Sequence, residues 1–267
     1  MTPVSVPLKK NAALVWLRSL VRKCLPRRLQ EARAHAAEVR QHLKYKGLPV
    51  EKVFSDIYQN KEWGGSDGGY YSGTGSHDPA VVLPYVHAVR ELLLCLPAKP
   101  VVVDMGSGDF NVGSRFVDLA SRYYACDIVS DLQEYNRQHY PFENVEFLCL
   151  NGVEHELPDG DIIFIRQVLQ HLSNGHIQKV LEKCRKYQRW VITEHLPSGD
   201  EFVPNIDISV GCGVRSLFDS GVVLTAPPFS LTGYSFRVLC EVPEYGCMIR
   251  TTLFERMGQP EGGICAS

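Results

Sequence analysis

Several features that are absent from the sequence argue against particular classes of protein. No apolar run comes near the roughly 20 residues that a membrane-spanning helix needs, and the apolar segment 12–17 is too short for the core of a signal peptide. The nine cysteines are odd in number, scattered and without paired C-x-x-C spacing, which argues against a disulfide framework and against a zinc site. We therefore expect a cytoplasmic protein without a bound metal.

Net charge is small, at −2 for 267 residues, but the charges are unevenly distributed. Residues 1–48 contain 11 lysines and arginines against two acidic residues. Within this segment, apolar residues alternate with basic ones as in a basic amphipathic helix that ends at Pro26. Two interpretations stay open: the segment packs on the domain as a helical cap, or it contacts a partner protein or the inner surface of the membrane.

A β-branched run that ends in two glycines is the most informative segment. Residues 101–105 predict a buried parallel strand, and Gly106 and Gly108 allow a tight turn close to a ligand. Apolar residues at positions 112, 116, 119 and 120 then predict a helix whose first amides point at that ligand. A strand, a glycine turn and a helix are typical of a nucleotide-type cofactor site.

The spacing of this turn argues against a dinucleotide. The G-x-G-x-x-G pattern requires a third glycine, but Asn111 occupies that position, and Asp109 would place a carboxylate against the pyrophosphate. The next predicted strand, 123–127, ends in Asp127, which is suited to binding ribose hydroxyls. A nucleoside cofactor with a positively charged amino-acid end fits these acids better.

These segments, in this order, resemble the class I S-adenosylmethionine-dependent methyltransferases. Residues 104–108 resemble their glycine-rich first motif, and later strands are matched by 144–151, 157–173, 190–195 and a terminal hairpin, 236–242 with 247–254. The resemblance implies S-adenosylmethionine as cofactor and an α/β, Rossmann-like sheet of seven strands. The sheet would be mostly parallel, with a reversed last strand and helices on both faces. Residues 1–50 would form a basic helical extension, and 51–267 the methyltransferase domain.

The same resemblance assigns residues of the N-terminal flank, the glycine turn and the strand ends to cofactor binding: Tyr58, Trp63, Ser72, Gly73, Asp104, Gly106, Gly108, Asp109, Asp127, Asn151 and Arg166. For five of them a different role is an open alternative: Tyr58 and Trp63 would stack against a sugar ring or anchor a loop on the core, and the other three would be structural. Asp104 would fasten the turn, Asp109 would cap the helix that follows, and Asn151 would belong to an Asn-Gly turn.

We expect catalysis of methyl transfer to require alignment of the acceptor with the methyl group and a base that removes the acceptor's proton. The reaction is an in-line displacement, so its main requirement is to hold the acceptor atom against the methyl group. An alcohol acceptor also needs its proton removed, and His171 and His195 are the candidate bases because both follow predicted strands. Glu194 and Asp207 are candidates to orient these imidazoles or to replace them. The alternative is that each histidine is a packed, hydrogen-bonded residue.

Residues 196–230 interrupt the alternation of strands and helices with prolines and glycines, and we expect them to form a wall of the acceptor pocket. Asn205 and Arg215 in this insert, together with Tyr71, are the candidate acceptor-binding residues. Arg215 suits a carboxylate or phosphate, although a surface salt bridge is equally consistent with it. Both flanks of the domain resemble a bacterial branch of small methyltransferases in which some relatives act on sugars and glycans, although Gln167 stands where that branch often has an acid.

The function that this implies is O-methylation of a sugar, a glycan or a small molecule. Two alternatives remain. The basic segment 1–48 would serve an RNA methyltransferase, but the sequence has no recognised RNA-binding module, which disfavours a nucleic acid partner. A cofactor-binding partner protein without turnover is the non-enzymatic alternative.

Overall fold

The structure is a computed structural model that describes residues 27–65, 69–199, 201–244 and 246–257. The basic amphipathic helix predicted before Pro26 lies outside these residues, so its contacts stay predictions. The cytoplasmic location of the protein also stays a prediction. Among the described helices, none is long and apolar enough to cross a membrane. The helices are α1 (Arg27–Tyr45), α2 (Val50–Gln59), α3 (Thr74–His77), α4 (Pro79–Leu94), α5 (Ser130–His139) and α6 (Asn174–Cys184).

Seven strands form one sheet in the order β3-β2-β1-β4-β5-β7-β6. The first five positions in this order pair in parallel, while β7 runs antiparallel between β5 and β6. The predicted fold class is therefore confirmed, including the reversed last strand. The strands are β1 (Val101–Met105), β2 (Arg122–Asp127), β3 (Val145–Cys149), β4 (Ile162–Arg166), β5 (Arg189–Pro197), β6 (Tyr234–Glu244) and β7 (Cys247–Arg256).

The core lies on both faces of this sheet. Successive side chains of a strand point to opposite faces, and Val102 and Val103 are accordingly both fully buried, in different clusters. Val102 packs on the face that α4 covers, with Val89. Val103 packs on the other face, with apolar residues of α2 and α6. Burial on both faces explains why the run 101–103 is continuously apolar instead of alternating.

The α-helix predicted over 112–120 is wrong. The chain forms two short 3₁₀ turns there, Gly113–Arg115 and Val117–Leu119. Distant side chains take the carbonyl groups that an α-helix would use internally: Arg90 donates to Arg115 O at 2.7 Å, and Asn144 donates to Val117 O at 2.9 Å. Consequently no long helix begins at the glycine turn, and a helix N-terminus does not contribute to the site there.

The insert 196–230 is attached to the N-terminal helix. After β5 the chain is irregular apart from a 3₁₀ turn, Arg215–Phe218. Gln41 of α1 donates to Ser209 O at 2.9 Å and accepts from Gly213 N at 2.7 Å. A Cβ on Gly211 would come within 2.5 Å of the Gln41 side chain. This one amide therefore fixes the position of the loop 209–213.

Candidate active site

A cavity of about 290 Å³ lies at the carboxyl ends of the central strands, and we call it the central cavity. Its walls include Met105 and the glycine turn after β1, Asp127 at the end of β2, Arg166 of β4 and His195 of β5. Parallel α/β sheets bind ligands at this edge, where loops leave the strands in different directions. The segments predicted to form a cofactor site are thus brought together around one cavity.

The glycine turn leaves β1 by a bend that is fixed to β2. Gly106 and Gly108 have φ of 78° and 57°, values that side chains disfavour. The amides of Gly106 and Ser107 donate to Cys126 O at 2.8 and 3.0 Å. A Cβ on Gly106 would lie 2.3 Å from Cγ2 of Val168. The glycine is therefore required both by its backbone angle and by the close packing of the β4 loop.

Asp127 joins this turn to the next strand. Its Oδ2 accepts from Gly108 N at 3.0 Å, and its Oδ1 accepts from Val129 N at 3.1 Å. Burial raises the pKa of the carboxyl, while these backbone hydrogen bonds oppose the shift. The side chain lines the central cavity, and each carboxylate oxygen keeps a second lone pair for a ligand hydroxyl.

Asn151 lies on the cavity wall, where a neighbouring helix fixes it. Its Nδ2 donates to Glu51 of α2 at 2.6 Å, and its Oδ1 accepts from Val153 N at 2.9 Å. Val50 and Phe54 of α2 add apolar surface to the same cavity. This combination of a fixed amide and apolar side chains suits a flat heteroaromatic ring.

Two of the predicted cofactor acids hold the protein together instead. Asp109 accepts from Ser72 N at 2.9 Å and lies 2.6 Å from Nε2 of His77, so it fastens the segment 72–77. Asp104 accepts from the Tyr123 hydroxyl at 2.9 Å, and burial raises the pKa of its carboxyl to about 7. Neither residue lines the central cavity. Both acids have structural roles in place of the predicted ligand contact, but not the roles expected: Asp104 binds the hydroxyl of Tyr123 on β2, and Asp109 binds the segment 72–77 and is not followed by an α-helix that it could cap.

The N-terminal flank closes one side of the cavity. The hydroxyls of Tyr58 and Ser72 lie 2.9 Å apart, and Trp63 packs edge-on against Tyr58 with ring centroids 5.0 Å apart. These three residues and Gly73 line the cavity, and their binding of a cofactor stays a prediction. Tyr71 does not line it: its ring stacks on His77 with centroids 4.4 Å apart. The prediction that Tyr71 binds the acceptor is therefore corrected.

Arg166 lines the cavity and also binds the short helix α3. Its Nη2 donates to Gly75 O at 2.5 Å, and its Nη1 donates to Ser76 Oγ at 3.2 Å. The guanidinium lies 4.9 Å from the centre of the Tyr85 ring. Two of its nitrogens are thus engaged by the protein, and burial lowers its pKa.

His171 is a buried wall residue in its neutral form. Its Nδ1 lies 3.2 Å from Gly213 O, which only accepts, so Nδ1 carries the proton and Nε2 is the acceptor. Nε2 lies 3.2 Å from the amide nitrogen of Gln170, which therefore donates to it. Burial lowers the pKa of the imidazole to about 4. A ring that is already hydrogen-bonded and so weakly basic is a poor proton acceptor at neutral pH.

His195 is better placed for proton transfer. It lines the cavity at the end of β5, and its Nε2 lies 3.8 Å from Oε2 of Glu244, which also lines the cavity. Glu244 was not among the sequence-predicted residues, because only the strand register brings the end of β6 near His195, across β7. The one sequence signal was a glutamate just before a hairpin turn.

Glu194 and Asp207 do not line the cavity. Glu194 neighbours His195 in β5 and therefore points to the opposite face of the sheet, where burial raises the pKa of its carboxyl to about 8. Asp207 is exposed, and its Oδ1 accepts from Asn174 N at 2.7 Å at the start of α6. The predictions of a catalytic role for these two acids are corrected accordingly.

Asn205 and Arg215 are structural residues of the insert. The Nδ2 of Asn205 donates to carbonyls of residues 223 and 227, each at 2.9 Å. Arg215 is buried and donates to the carbonyls of Ile206, Leu169 and Leu172 at 2.9, 3.1 and 2.7 Å. Neither lines the cavity, which corrects their assignment to the acceptor. The insert contributes Cys212 and Val214 to the wall instead.

In the described ranges, no group of three or more His, Cys, Asp or Glu side chains is placed to hold a metal.

We predict that Gly106→Ala destabilises the protein by about 1–3 kcal/mol, because the new Cβ meets Val168 and the backbone angle is strained. Urea unfolding measures this change. Gly175→Ala is the matched control, since a Cβ there meets no atom within 4 Å. An equal effect of the two substitutions would contradict the account of the turn.

We predict that Glu194→Gln flattens the dependence of stability on pH. The buried carboxyl stays protonated up to a pKa of about 8, whereas the unfolded chain ionises near 4.5, so wild-type stability falls as pH rises between these values. The loss of unfolding free energy from pH 5 to pH 8 should shrink by up to about 3 kcal/mol in the variant. Glu182→Gln, at an exposed position, serves as the control. A Glu194→Gln protein whose stability depends on pH as the wild type does would refute the prediction.

Comparison with known proteins agrees with this architecture. Residues 103–189 match the family described as methyltransferase domain. N-methyltransferase NodS from Bradyrhizobium japonicum WM9, solved with S-adenosyl-L-homocysteine, is 12% identical with a TM-score of 0.54, over 75% of this chain and 98% of that one. The 1,6-didemethyltoxoflavin-N1-methyltransferase of Burkholderia thailandensis is 15% identical with a TM-score of 0.50, over 78% and 88%. No curated protein matches the chain. The chain therefore has the seven-stranded Rossmann-like methyltransferase fold, and its residues 103–189 match the methyltransferase domain family.

Proposed function

We propose that the protein uses S-adenosylmethionine to methylate a hydroxyl oxygen of a small molecule or glycan. One observation carries the proposal: a single cavity reaches from Asp127 at the end of β2 to His195 at the end of β5. These strands are three positions apart in the sheet, which corresponds to about 14 Å at the usual strand spacing. That length accommodates a nucleoside on one side and an acceptor on the other.

The cofactor side is formed by the β1 and β2 ends with α2. Asp127 would accept hydrogen bonds from the ribose hydroxyls, and Asn151 with Val50 and Phe54 would flank the adenine. The turn at Gly106 would let the main chain approach the ligand closely. When bound, the cofactor supplies a methyl group on a sulfonium sulfur. What the protein adds is the position of the acceptor in line with that group.

The acceptor side is formed by His195, Glu244, Gln167 and the insert residues Cys212 and Val214. An alcohol holds its proton at neutral pH, whereas a neutral amine already offers a lone pair. A histidine on the wall beside a carboxylate therefore supports oxygen as the acceptor atom. The sugar or glycan class is supported by the resemblance of the flanking segments to a branch with such relatives.

Calorimetric titration tests the cofactor part of the proposal. We expect S-adenosylmethionine to bind the wild type and Asp127→Asn to weaken this binding roughly tenfold or more, about the value of a hydrogen bond to a charged group. Asp131→Asn, an exposed acid in α5, should leave the affinity unchanged. Binding of NAD in place of S-adenosylmethionine would overturn the assignment.

Product analysis tests the acceptor part. Purified protein is incubated with cell extract and methyl-labelled cofactor, and labelled products are identified by mass spectrometry. We expect the label on the oxygen of a polyhydroxylated molecule. Label recovered on nitrogen, or in RNA, would refute oxygen transfer while leaving cofactor binding intact.

A further inference from the structure

The register of the last three strands places two titratable side chains beside each other. Ile249 of β7 pairs with His195 of β5 on one side and with Val242 of β6 on the other, while Cys247 pairs with Glu244. Residues two apart in a strand share a face, so His195 and Glu244 both project from the face that α4 covers. This juxtaposition results from the antiparallel insertion of β7 between β5 and β6.

The two side chains meet in a partly dry environment at the cavity wall. Oε2 of Glu244 lies 3.8 Å from Nε2 of His195, and the side chains are only 10% and 13% exposed. Val81, Val242 and Ile249 form an apolar cluster on the same face. Because apolar surroundings weaken screening by water, a charge on Glu244 acts on the imidazole more strongly than it would at the surface.

The charged and titratable groups around this pair come from several elements. Burial raises the pKa of the Glu244 carboxyl, and Asp78 at the start of α4 adds to that shift, while Arg166 of β4 and a hydrogen bond with Thr74 oppose it. Oε1 of Glu244 is buried without a hydrogen-bond partner among the residues that the structure describes. His171, on the 3₁₀ turn after β4, lies near enough to His195 for a charge on that ring to lower the pKa of His171 further. Glu244 is a carboxyl within ion-pair distance of His195.

We propose that Glu244 is a positioning residue for His195 and that the two act together to accept the proton of the acceptor hydroxyl. This inference rests on the proposed function. In the step, the hydroxyl oxygen forms a bond to the methyl carbon while the carbon–sulfur bond breaks, and the sulfur keeps that electron pair as a neutral thioether. The hydroxyl proton moves to the imidazole of His195, and the Glu244 carboxylate stabilises the resulting imidazolium.

Kinetics of Glu244→Gln test this role. We expect kcat to fall about tenfold to a hundredfold, within the range that a general base contributes, with unchanged affinity for S-adenosylmethionine. Loss of the neighbouring negative charge should also move the acidic limb of the kcat profile to lower pH. Glu244→Asp should recover part of the rate. Glu241→Gln is the matched control, because Glu241 lies on the same strand but pairs with Arg250.

A second measurement does not depend on turnover. The imidazoles are labelled and titrated by NMR, and the signal of His195 is assigned by its loss in His195→Gln. In Glu244→Gln the pKa of His195 should fall, because the carboxylate no longer favours the charged ring. An unchanged His195 titration, an unchanged kcat, or a lower kcat without a shifted pH limb would overturn the inference. If S-adenosylmethionine does not bind but the His195 titration still shifts in Glu244→Gln, the proposed function is refuted while the electrostatic coupling of Glu244 and His195 stands.

Discussion

The bend at the carboxyl end of β1 is the constraint on which the site depends. The chain must leave the strand sharply, or it would cover the edge of the sheet where a ligand binds. The amides of Gly106 and Ser107 satisfy this requirement by donating to Cys126 O, and Gly108 N donates to Asp127. One set of backbone hydrogen bonds therefore opens the cavity and at the same time orients the carboxylate that lines it.

The rest of the cavity wall is held by buried charged and polar groups that bind the backbone. Asp109 fixes the segment that begins at Ser72, Arg166 fixes Gly75, and Arg215 ties the insert carbonyl of Ile206 to two carbonyls of the turn after β4. A buried charge is costly unless it is hydrogen-bonded, so each of these residues must find partners within the protein. Their side chains shape the site by supporting its loops, which is why several polar residues near it do not reach the cavity.

The features that could be predicted from the sequence are those set by local patterns. An apolar β-branched run with two glycines predicted β1 and the turn after it, and the resemblance to class I methyltransferases predicted the later strands and the reversed last strand. The absence of an α-helix over 112–120 could not be predicted from local patterns. Arg90 and Asn144, which are distant in sequence, donate hydrogen bonds to the carbonyl groups that the helix would have used. The same applies to Arg215, whose donors are directed at carbonyls that only the folded insert brings near. Glu244 was missed because its neighbour His195 becomes adjacent only through the register of β7.

The choice between the two histidines follows from their surroundings. His171 is hydrogen-bonded at both nitrogens and buried in a setting that disfavours its charged form, whereas His195 stands beside a carboxylate at the far end of the cavity. A crystal structure with S-adenosylhomocysteine tests this arrangement most directly. The account predicts the ribose against Asp127 and the sulfur directed toward the His195 end of the cavity. An empty cavity, or a nucleoside bound in the opposite orientation, would contradict it.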